Sequence, residues 1–314
     1  MQTRDAVLKS LKIDRGDLVL EVGGGQSPYW RSDILIDRYL FDDNERAGSL
    51  VIDRPFICAD AHSIPFKDKS VDYIFCSQIL EHLERPEAFF SELMRVGNKG
   101  YIETPNEFRE RLICRSFHRW IISKQDNVLV LRKNTLSPVF GSLFHSLMRT
   151  REFNHFYNHH YSLFNIMFEW EAKFQYRFED LVEFDQSSPS GWINALDIKS
   201  DDFNQLESKF FSIHAMLKTS FQIYLNAVNN FLKRKIRLLR RRFKVTKSRH
   251  FFELLCCPSC KSSLITHRDG TNIKCDHCSR FYPVLKGIPI LLSDAKEVED
   301  IYQRWQRGIE KQYS

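Results

Sequence analysis

Residues 19–39 read VLEVGGGQSPYWRSDILIDRY, in which two short apolar runs flank three consecutive glycines. Residues 17–22 and 34–37 are predicted to be buried strands, the second ending at Asp37. The bare main chain at Gly23–Gly25 lets a ligand approach closely, because no Cβ stands in the way. Only eight residues separate the last glycine from the next apolar run, so this connection has space for one turn.

Further strands are predicted at residues 71–80 and 100–106. Between them, RPEAFFSELMRVG has apolar residues at helical spacing, begins with Pro86 and ends at Gly97, which indicates a helix. Strands that alternate with helices predict an α/β fold with a parallel sheet. In such sheets the ligand binds beyond the carboxyl ends of the strands, where the glycines and Asp37 are expected.

Composition limits the class of protein. The chain has 314 residues, 43% of them hydrophobic, which is typical of a globular protein. No apolar run reaches the ~18–20 residues of a membrane span, and the first residues lack the apolar core of a secretion signal. Five of eight cysteines lie between Cys256 and Cys278, which favours a metal site over spread disulfides. We therefore expect a cytoplasmic protein.

The residues after 106 are less regular. Residues 118–134 are predicted to be a hairpin that turns at Asp126 and Asn127. Residues 140–178 carry twelve aromatic side chains and are predicted to belong to a cap over the sheet. From residue 206 to 243 apolar positions recur every 3.7 residues on average, which indicates a long helix.

These features predict a Rossmann-like α/β fold with an aromatic-rich cap, a long basic helix and a small zinc ribbon. The expected boundaries are a sheet domain at 1–200 with a cap insertion at about 107–190, a basic amphipathic helical linker at 201–250, a ribbon at 251–293 and a C-terminal helix at 294–314.

Two acids follow predicted strands in the first half of the chain. Asp37 can accept hydrogen bonds from both hydroxyls of a ribose, and Asp60, in CADAHSIPF, can accept from the exocyclic amine of an adenine. The ordered set LEVGGG, ILIDRY and ADAHSIPFKDKSVDYIFCSQILEHLERPEAFFSELMRVGNKGYIETPN resembles the class I S-adenosylmethionine-dependent methyltransferases, especially the small-molecule type of quinone biosynthesis.

The resemblance covers about residues 17–106 and implies S-adenosylmethionine as cofactor. It implies a methionine-binding loop of Glu21, Gly23, Gly24 and Gly25, ribose binding by Asp37, adenine binding by Asp60 and Ala61, and a cofactor wall at Cys76, Ser77 and Gln78. The family usually has a full helix before the ribose acid, where this chain has the short QSPYWRSD.

His82 follows the predicted fourth strand, where the substrate pocket of the family begins. An imidazole with a pKa near ~6.5 suits proton removal at neutral pH, so His82 is a candidate general base or substrate ligand. The alternative is that Glu81 and His82 are a polar pair at the entry of the following helix.

The strongest signal is the cysteine cluster. Cys257-x2-Cys260 and Cys275-x2-Cys278 form two knuckles fourteen residues apart, and four thiolates can surround one zinc ion. An iron–sulfur cluster or a metal-free remnant are the alternatives. ELLCCPSCKSSL and SRFYPVLKGIPILL resemble the small zinc-ribbon activators of tRNA, rRNA and protein methyltransferases. This resemblance implies an activator carried in cis; otherwise the segment is a generic ribbon that closes a domain.

Residues 233–249 hold ten Lys or Arg and no acid. Subtracting these ten charges from the net +6 leaves −4 for the rest of the chain, so the basicity is local. The run is a solvated linker face, an anchor to anionic membrane at the inner face of the membrane, or an RNA contact.

Together these observations predict a methyltransferase that acts on a small-molecule, lipid- or glycan-linked acceptor, since an aromatic-lined cap suits an apolar or sugar acceptor. The alternatives are a tRNA or rRNA methyltransferase and a non-catalytic scaffold that retains the fold.

Overall fold

The computed structural model describes residues 3–41, 46, 48–113, 115–136, 144, 146–180, 251–267 and 270–308. They divide into two compact units. The first, called the sheet unit, comprises the described residues of 13–102, 169–174 and 237–314. The second unit comprises the described residues of 1–12, 103–168 and 175–236.

Six α-helices and thirteen strands are formed by the described residues, besides three short 3₁₀ turns. In chain order they are α1 (Arg4–Ser10), β1 (Val19–Val22), β2 (Ile34–Asp37), β3 (Phe56–Ala59), β4 (Val71–Ser77), α2 (Pro86–Val96), β5 (Gly97–Pro105), α3 (Glu107–Ile113), β6 (Trp120–Gln125), β7 (Val128–Lys133), α4 (Arg151–His159), α5 (Tyr161–Phe164), β8 (Asn165–Glu171), β9 (Gln175–Glu179), β10 (Leu264–Thr266), β11 (Asn272–Cys275), β12 (Phe281–Leu285), β13 (Ile288–Leu291) and α6 (Ala295–Gly308).

The large sheet has the strand order β10-β11-β12-β13-β3-β2-β1-β4-β5-β8. Strand β1 pairs in parallel with β2 on one side and with β4 on the other, and β2 pairs in parallel with β3. The order of the strands therefore reverses between β1 and β4, which is the position where open α/β sheets bind their ligands. The predicted fold class is confirmed, and so are the strands and the helix predicted between residues 17 and 106.

The connection from β1 to β2 contains turns and bends and no helix over residues 23–33. Polar contacts hold it in place. The Arg31 guanidinium donates to the carbonyls of Asp14 and Asp17 at 2.6 and 3.0 Å, and the Arg54 guanidinium donates to Tyr29 O at 2.8 Å. The buried Arg31 guanidinium thus ties the connection to the segment before β1, and Arg54 satisfies a carbonyl within the connection.

The C-terminal strands extend the same sheet. Strands β10 to β13 form antiparallel pairs in sequence order, and β13 then pairs in parallel with β3, with Ile290 opposite Cys58. Helix α6 packs over the face of β2, β3, β12 and β13, and the buried members of this cluster are Leu35, Phe56, Cys58, Leu285, Ile290, Leu292 and Ile301. The C-terminal segment thus covers both an edge and part of a face of the sheet.

The second unit contains the predicted hairpin, since β6 pairs with β7 and turns at Asp126 and Asn127. Strand β9 adds to β7 in parallel. Helices α3, α4 and α5 carry an aromatic cluster centred on Tyr157, Tyr161 and Phe164. Many of the aromatics predicted for a cap therefore pack against one another.

The long helix predicted at 201–250, with its basic run, lies outside the described residues. In the parts of the chain that the structure describes, no helix is both long and apolar enough to cross a membrane.

Candidate active site and metal centre

The glycine turn follows β1 directly and adopts a conformation that requires glycine. Gly23 and Gly25 have φ of +74° and +50°, a region that side chains rarely adopt. The amide of Gly23 donates to Ile36 O at 2.9 Å, and a Cβ on Gly23 would lie 3.0 Å from Ile79 Cδ1. The turn therefore presents bare backbone at the point where the strand order reverses.

Glu21 supports this turn from within the sheet unit. Its carboxylate is buried, with 3% of the residue exposed, and accepts the Tyr29 amide on both oxygens at 2.9 and 3.0 Å. The ring of Tyr29 stacks on Phe75 with 4.3 Å between centroids. Cys76 of β4 is also buried, and burial together with the Glu21 charge raises the pKa of its thiol well above the usual value. Glu21 thus shapes the loop.

Asp37 lies at the carboxyl end of β2, and its carboxylate faces the glycine turn. Oδ1 accepts from the Tyr39 amide at 3.1 Å, and the amide of Gly25 also donates to the carboxylate. The guanidinium of Arg46 approaches Oδ2 to 3.9 Å. Burial raises the pKa of Asp37, although these partners oppose the shift. The structure therefore brings Asp37 and the glycine turn together, as the sequence predicted.

Asp60 lies at the carboxyl end of β3, and both its oxygens have partners. Oδ1 accepts from the His62 amide at 2.8 Å and contacts His62 Nδ1 at 2.7 Å, while Oδ2 accepts from Arg38 at 3.0 Å. Burial acts to raise the pKa of Asp60, but the His62 hydrogen bonds and the Arg38 charge outweigh it and lower the pKa. Ala61 is buried beside it. Because a carboxylate offers about four lone pairs, Oδ2 retains room for one further donor.

The end of β4 supplies the other side of the turn. Ser77 is its last residue, and Gln78 follows with φ of +55°, which is uncommon outside glycine. His82 ends a short 3₁₀ turn, and its Nε2 lies 3.8 Å from the buried carboxylate of Glu81. The roles of Ser77, Gln78 and His82 stay predictions.

Sequence reasoning missed Arg38 and Glu297. The guanidinium of Arg38 contacts Asp60 and, through two hydrogen bonds at 2.8 and 2.9 Å, Glu297 of α6. The DRY triplet does place a cation directly after Asp37, but the C-terminal partner is 259 residues away and no local pattern indicates it.

The second unit holds a buried acid–histidine pair. Glu110 Oε1 lies 2.7 Å from His118 Nδ1, and the two residues are 2% and 5% exposed. Burial raises the pKa of Glu110 to about 7, while the charges of Arg109 and Arg115 oppose the shift. Burial and the same two charges lower the pKa of His118 to about 3.

The four predicted metal ligands come together. The Sγ atoms of Cys257, Cys260, Cys275 and Cys278 all lie within 4.8 Å of one another. The separations are 3.7 Å for Cys257–Cys278 and 3.4 Å for Cys260–Cys275, too long for a disulfide. A tetrahedral zinc ion with ~2.3 Å bonds needs sulfur atoms ~3.8 Å apart. The geometry thus fits one zinc ion held by four thiolates.

Nearby groups orient these thiols. The hydroxyl of Tyr282 lies 3.1 Å from Cys257 Sγ, and hydrogen bonds from Ser262 lower the pKa of Cys260 to about 5, which favours the thiolate. Burial raises the pKa of Cys275 to about 12, and its Sγ lies 3.4 Å from that of Cys260. Cys256 faces away, since its thiol donates to Phe66 O at 3.1 Å.

Two parts of the chain match known protein families. Residues 40–102 match the family model of a methyltransferase domain, and residues 248–287 match that of a Trm112p-like protein. A UPF0434 protein of Coxiella burnetii is 36% identical over 47 residues, 15% of this chain and 84% of the relative. A UPF0434 protein of Nitrosococcus oceani is 40% identical over 42 residues, 13% of this chain and 71% of the relative.

Two solved structures are also similar. A Haloferax volcanii complex that contains the Trm112 methyltransferase activator is 16% identical, with a TM-score of 0.34, over 55% of this chain and 89% of that chain. An S-adenosylmethionine-dependent methyltransferase of Mesorhizobium loti is 14% identical, with a TM-score of 0.27, over 39% and 59%.

The chain therefore contains a methyltransferase domain. The chain also contains a second domain. Its C-terminal part belongs to the Trm112p-like family, and UPF0434 proteins are among the relatives of this part.

Proposed function

We propose that this methyltransferase binds its cofactor at the edge formed by the carboxyl ends of β1, β2, β3 and β4. In this proposal Gly23, Gly24 and Gly25 admit the methionine part, Asp37 binds the ribose, and Asp60 with Ala61 receives the adenine. The support is the bare backbone at the strand-order reversal, with the Asp37 carboxylate facing it. Cys76, Ser77 and Gln78 form the wall at the end of β4.

The bound cofactor supplies a methyl group on a sulfonium that already carries a good leaving group. The protein therefore contributes mainly by orienting the acceptor and excluding water. His82, one short turn beyond β4, is proposed to take the proton that a hydroxyl or amine acceptor releases. Its position supports this role, because Nε2 lies 3.8 Å from the buried carboxylate of Glu81, which can stabilise the imidazolium that forms during proton transfer.

We further propose that the Trm112p-like domain stabilises the methyltransferase sheet in cis, and a single observation carries this proposal. Strand β13 pairs in parallel with β3, so the C-terminal domain occupies a sheet edge that would otherwise expose unpaired backbone groups. The contact is apolar as well, since α6 covers Leu35, Phe56 and Cys58.

The metal knuckle takes part in the same contact. Lys261, next to Cys260, places Nζ 2.9 Å from Glu92 of α2 and 2.9 Å from Ser63, and Ser63 donates to Pro258 O at 2.6 Å. Zinc would hold these residues in place by closing the knuckle. Deletion of residues 251–314 is accordingly expected to give an aggregating or inactive fragment, and a fully active monomeric fragment would contradict the cis role.

The proposed acceptor is a small molecule or a lipid- or glycan-linked group. One support is the high content of aromatic residues at 140–178, which suits an apolar or sugar acceptor. The other is the net negative charge of the chain outside residues 233–249, because a negatively charged protein repels a polyanionic acceptor. The experiment is transfer of labelled methyl groups from S-adenosylmethionine to lipid, glycan and RNA fractions. Label in the lipid or glycan fraction supports the proposal, label in tRNA or rRNA favours the alternative, and no label with intact cofactor binding favours a scaffold.

The interpretations of the basic run stay predictions, because residues 233–249 lie outside the described residues. If the run contacts anionic membrane, co-sedimentation with anionic vesicles should be lost when residues 240–242 are reversed in charge. A steep salt dependence of RNA binding would indicate phosphate contacts instead.

A further inference from the structure

Arg38 joins three elements at the proposed cofactor edge. It follows Asp37 of β2, and its side chain makes two parallel hydrogen bonds to Glu297 of α6, from Nε to Oε1 at 2.8 Å and from Nη2 to Oε2 at 2.9 Å. The remaining terminal nitrogen, Nη1, donates to Asp60 Oδ2 at 3.0 Å. Two-pronged pairs of this kind fix direction as well as distance, because the guanidinium is planar.

The line of contacts continues beyond Asp60. The amide of Arg85, at the start of α2, donates to His62 Nε2 at 3.3 Å. Since Nε2 accepts, the neutral ring carries its proton on Nδ1 and donates it to Asp60 Oδ1 at 2.7 Å. The orientation of the Asp60 carboxylate is therefore determined from both sides, by His62 and by Arg38.

Glu297 determines in turn where Arg38 points. Arg38 lies between two acids of the proposed site, Asp37 beside it in the chain and Asp60 in front of it. With Glu297 in place, the guanidinium is neutralised and directed at Oδ2 of Asp60. Without the Glu297 carboxylate, the cation would be free to turn toward Asp37 and occupy lone pairs that the ribose hydroxyls need.

We propose that Glu297 is a positioning residue for the adenosine half of the cofactor, through which helix α6 of the C-terminal segment sets cofactor affinity. The inference rests on the proposed function, since it requires Asp37 and Asp60 to bind ribose and adenine. Glu297 does not touch the cofactor in this scheme; it acts through Arg38. The C-terminal segment thereby contributes to the site itself in addition to stabilising the sheet.

The test compares two isosteric variants of the full chain. Glu297→Gln removes the carboxylate that holds Arg38, and Asp300→Asn removes an exposed pair on the same helix, Arg304–Asp300 at 2.8 Å. Affinity for S-adenosylhomocysteine is measured by calorimetry and the thermal midpoint by unfolding. Glu297→Gln is expected to bind about tenfold more weakly, by analogy with the loss of residues that orient the ligands of metal sites. Asp300→Asn is expected to bind as the wild type does.

Kinetics separate positioning from stability. Glu297→Gln should raise the KM for S-adenosylmethionine and leave kcat at saturating cofactor unchanged, because the lost interaction is made equally in the ground and transition states. Adding Glu297→Gln to Arg38→Gln should have no further effect on affinity, since both act through one contact. Unchanged affinity in Glu297→Gln, with or without a lower thermal midpoint, would overturn the positioning role. Failure of the wild type to bind S-adenosylhomocysteine would instead refute the proposed function itself.

Discussion

Ile290 of β13 lies opposite Cys58 of β3 in a parallel strand pair, and both side chains are completely buried. The two residues are 232 positions apart in the chain, yet they belong to one apolar cluster together with Leu35 and Ile301. A strand of the C-terminal segment, directly after the residues that match the Trm112p-like family, therefore forms part of the core of the large sheet.

Shortening Ile290 should destabilise the whole sheet unit. Ile290→Ala leaves a cavity in a fully buried cluster, so we expect a loss of roughly 2–5 kcal/mol in the free energy of unfolding. The matched control is Ile265→Ala in β10, where the side chain is 57% exposed and the change should be within roughly 0.5 kcal/mol. Urea unfolding measures both, and equal midpoints for the two variants would contradict the joint core.

The glycine turn can be tested with a second matched pair. Gly23→Val forces a branched side chain into φ of +74° and against Ile79, so loss of cofactor binding is expected. Gly16→Val introduces the same side chain where nothing lies within 4 Å of the Cβ position and φ is not positive, so binding should persist. Calorimetry with S-adenosylmethionine checks both; full affinity in Gly23→Val would rule out the turn as the cofactor cradle.

The metal centre should depend on four of the five clustered cysteines. Cys257→Ser is expected to abolish stoichiometric zinc binding, because a serine hydroxyl replaces one of four thiolates. Cys256→Ser should retain the zinc, since its thiol donates to Phe66 O and a hydroxyl can do the same. Native mass spectrometry gives the metal content of each variant. Retention of zinc by Cys257→Ser would show that the ligand set is different.

The Glu110–His118 pair gives a prediction of pH dependence. With folded pKa values of about 7 and about 3, the pair binds one proton across that interval. The unfolded chain, with the ordinary values of 4.5 and 6.5, also binds one proton between them, so the two effects cancel there. The pair should therefore cost stability as the pH falls from 4.5 toward 3, and to a smaller extent as the pH rises from 6.5 to about 7, where only the folded pair still holds a proton.

Glu110→Gln removes the carboxyl group that binds the proton in the folded pair. His118, whose pKa is lowered by burial and by Arg109 and Arg115, then acts alone, and its contribution decreases as soon as the pH falls below about 6.5. Urea unfolding of the full chain between pH 4 and pH 8 should show this earlier decline relative to the wild type. A curve parallel to that of the wild type would mean that Glu110 carries no shifted proton.

Much of this architecture follows from local signals in the sequence. The strands around residues 19–22 and 34–37, the helix that begins at Pro86 and the hairpin at Asp126 depend on apolar runs, capping residues and turn residues only a few positions apart. The two Cys-x2-Cys knuckles are equally local, because each spacing brings two thiols to one ion. The glycine turn can be predicted for the same reason, because a positive φ, +74° at Gly23, requires a particular residue type at a single position.

The tertiary structure alone decided where the C-terminal segment goes and what it does to the site. The GIPILL run could have closed a separate ribbon, and its pairing as β13 with β3 depends on a free edge far away in the chain. The sequence predicts that Asp60 follows a strand. It does not predict the hydrogen bonds of Asp60 to His62 and Arg38, or those between Arg38 and Glu297. Interactions between residues far apart in the chain depend on which surfaces pack together in the folded protein. Local patterns such as hydrophobic periodicity and motif spacing do not predict these contacts.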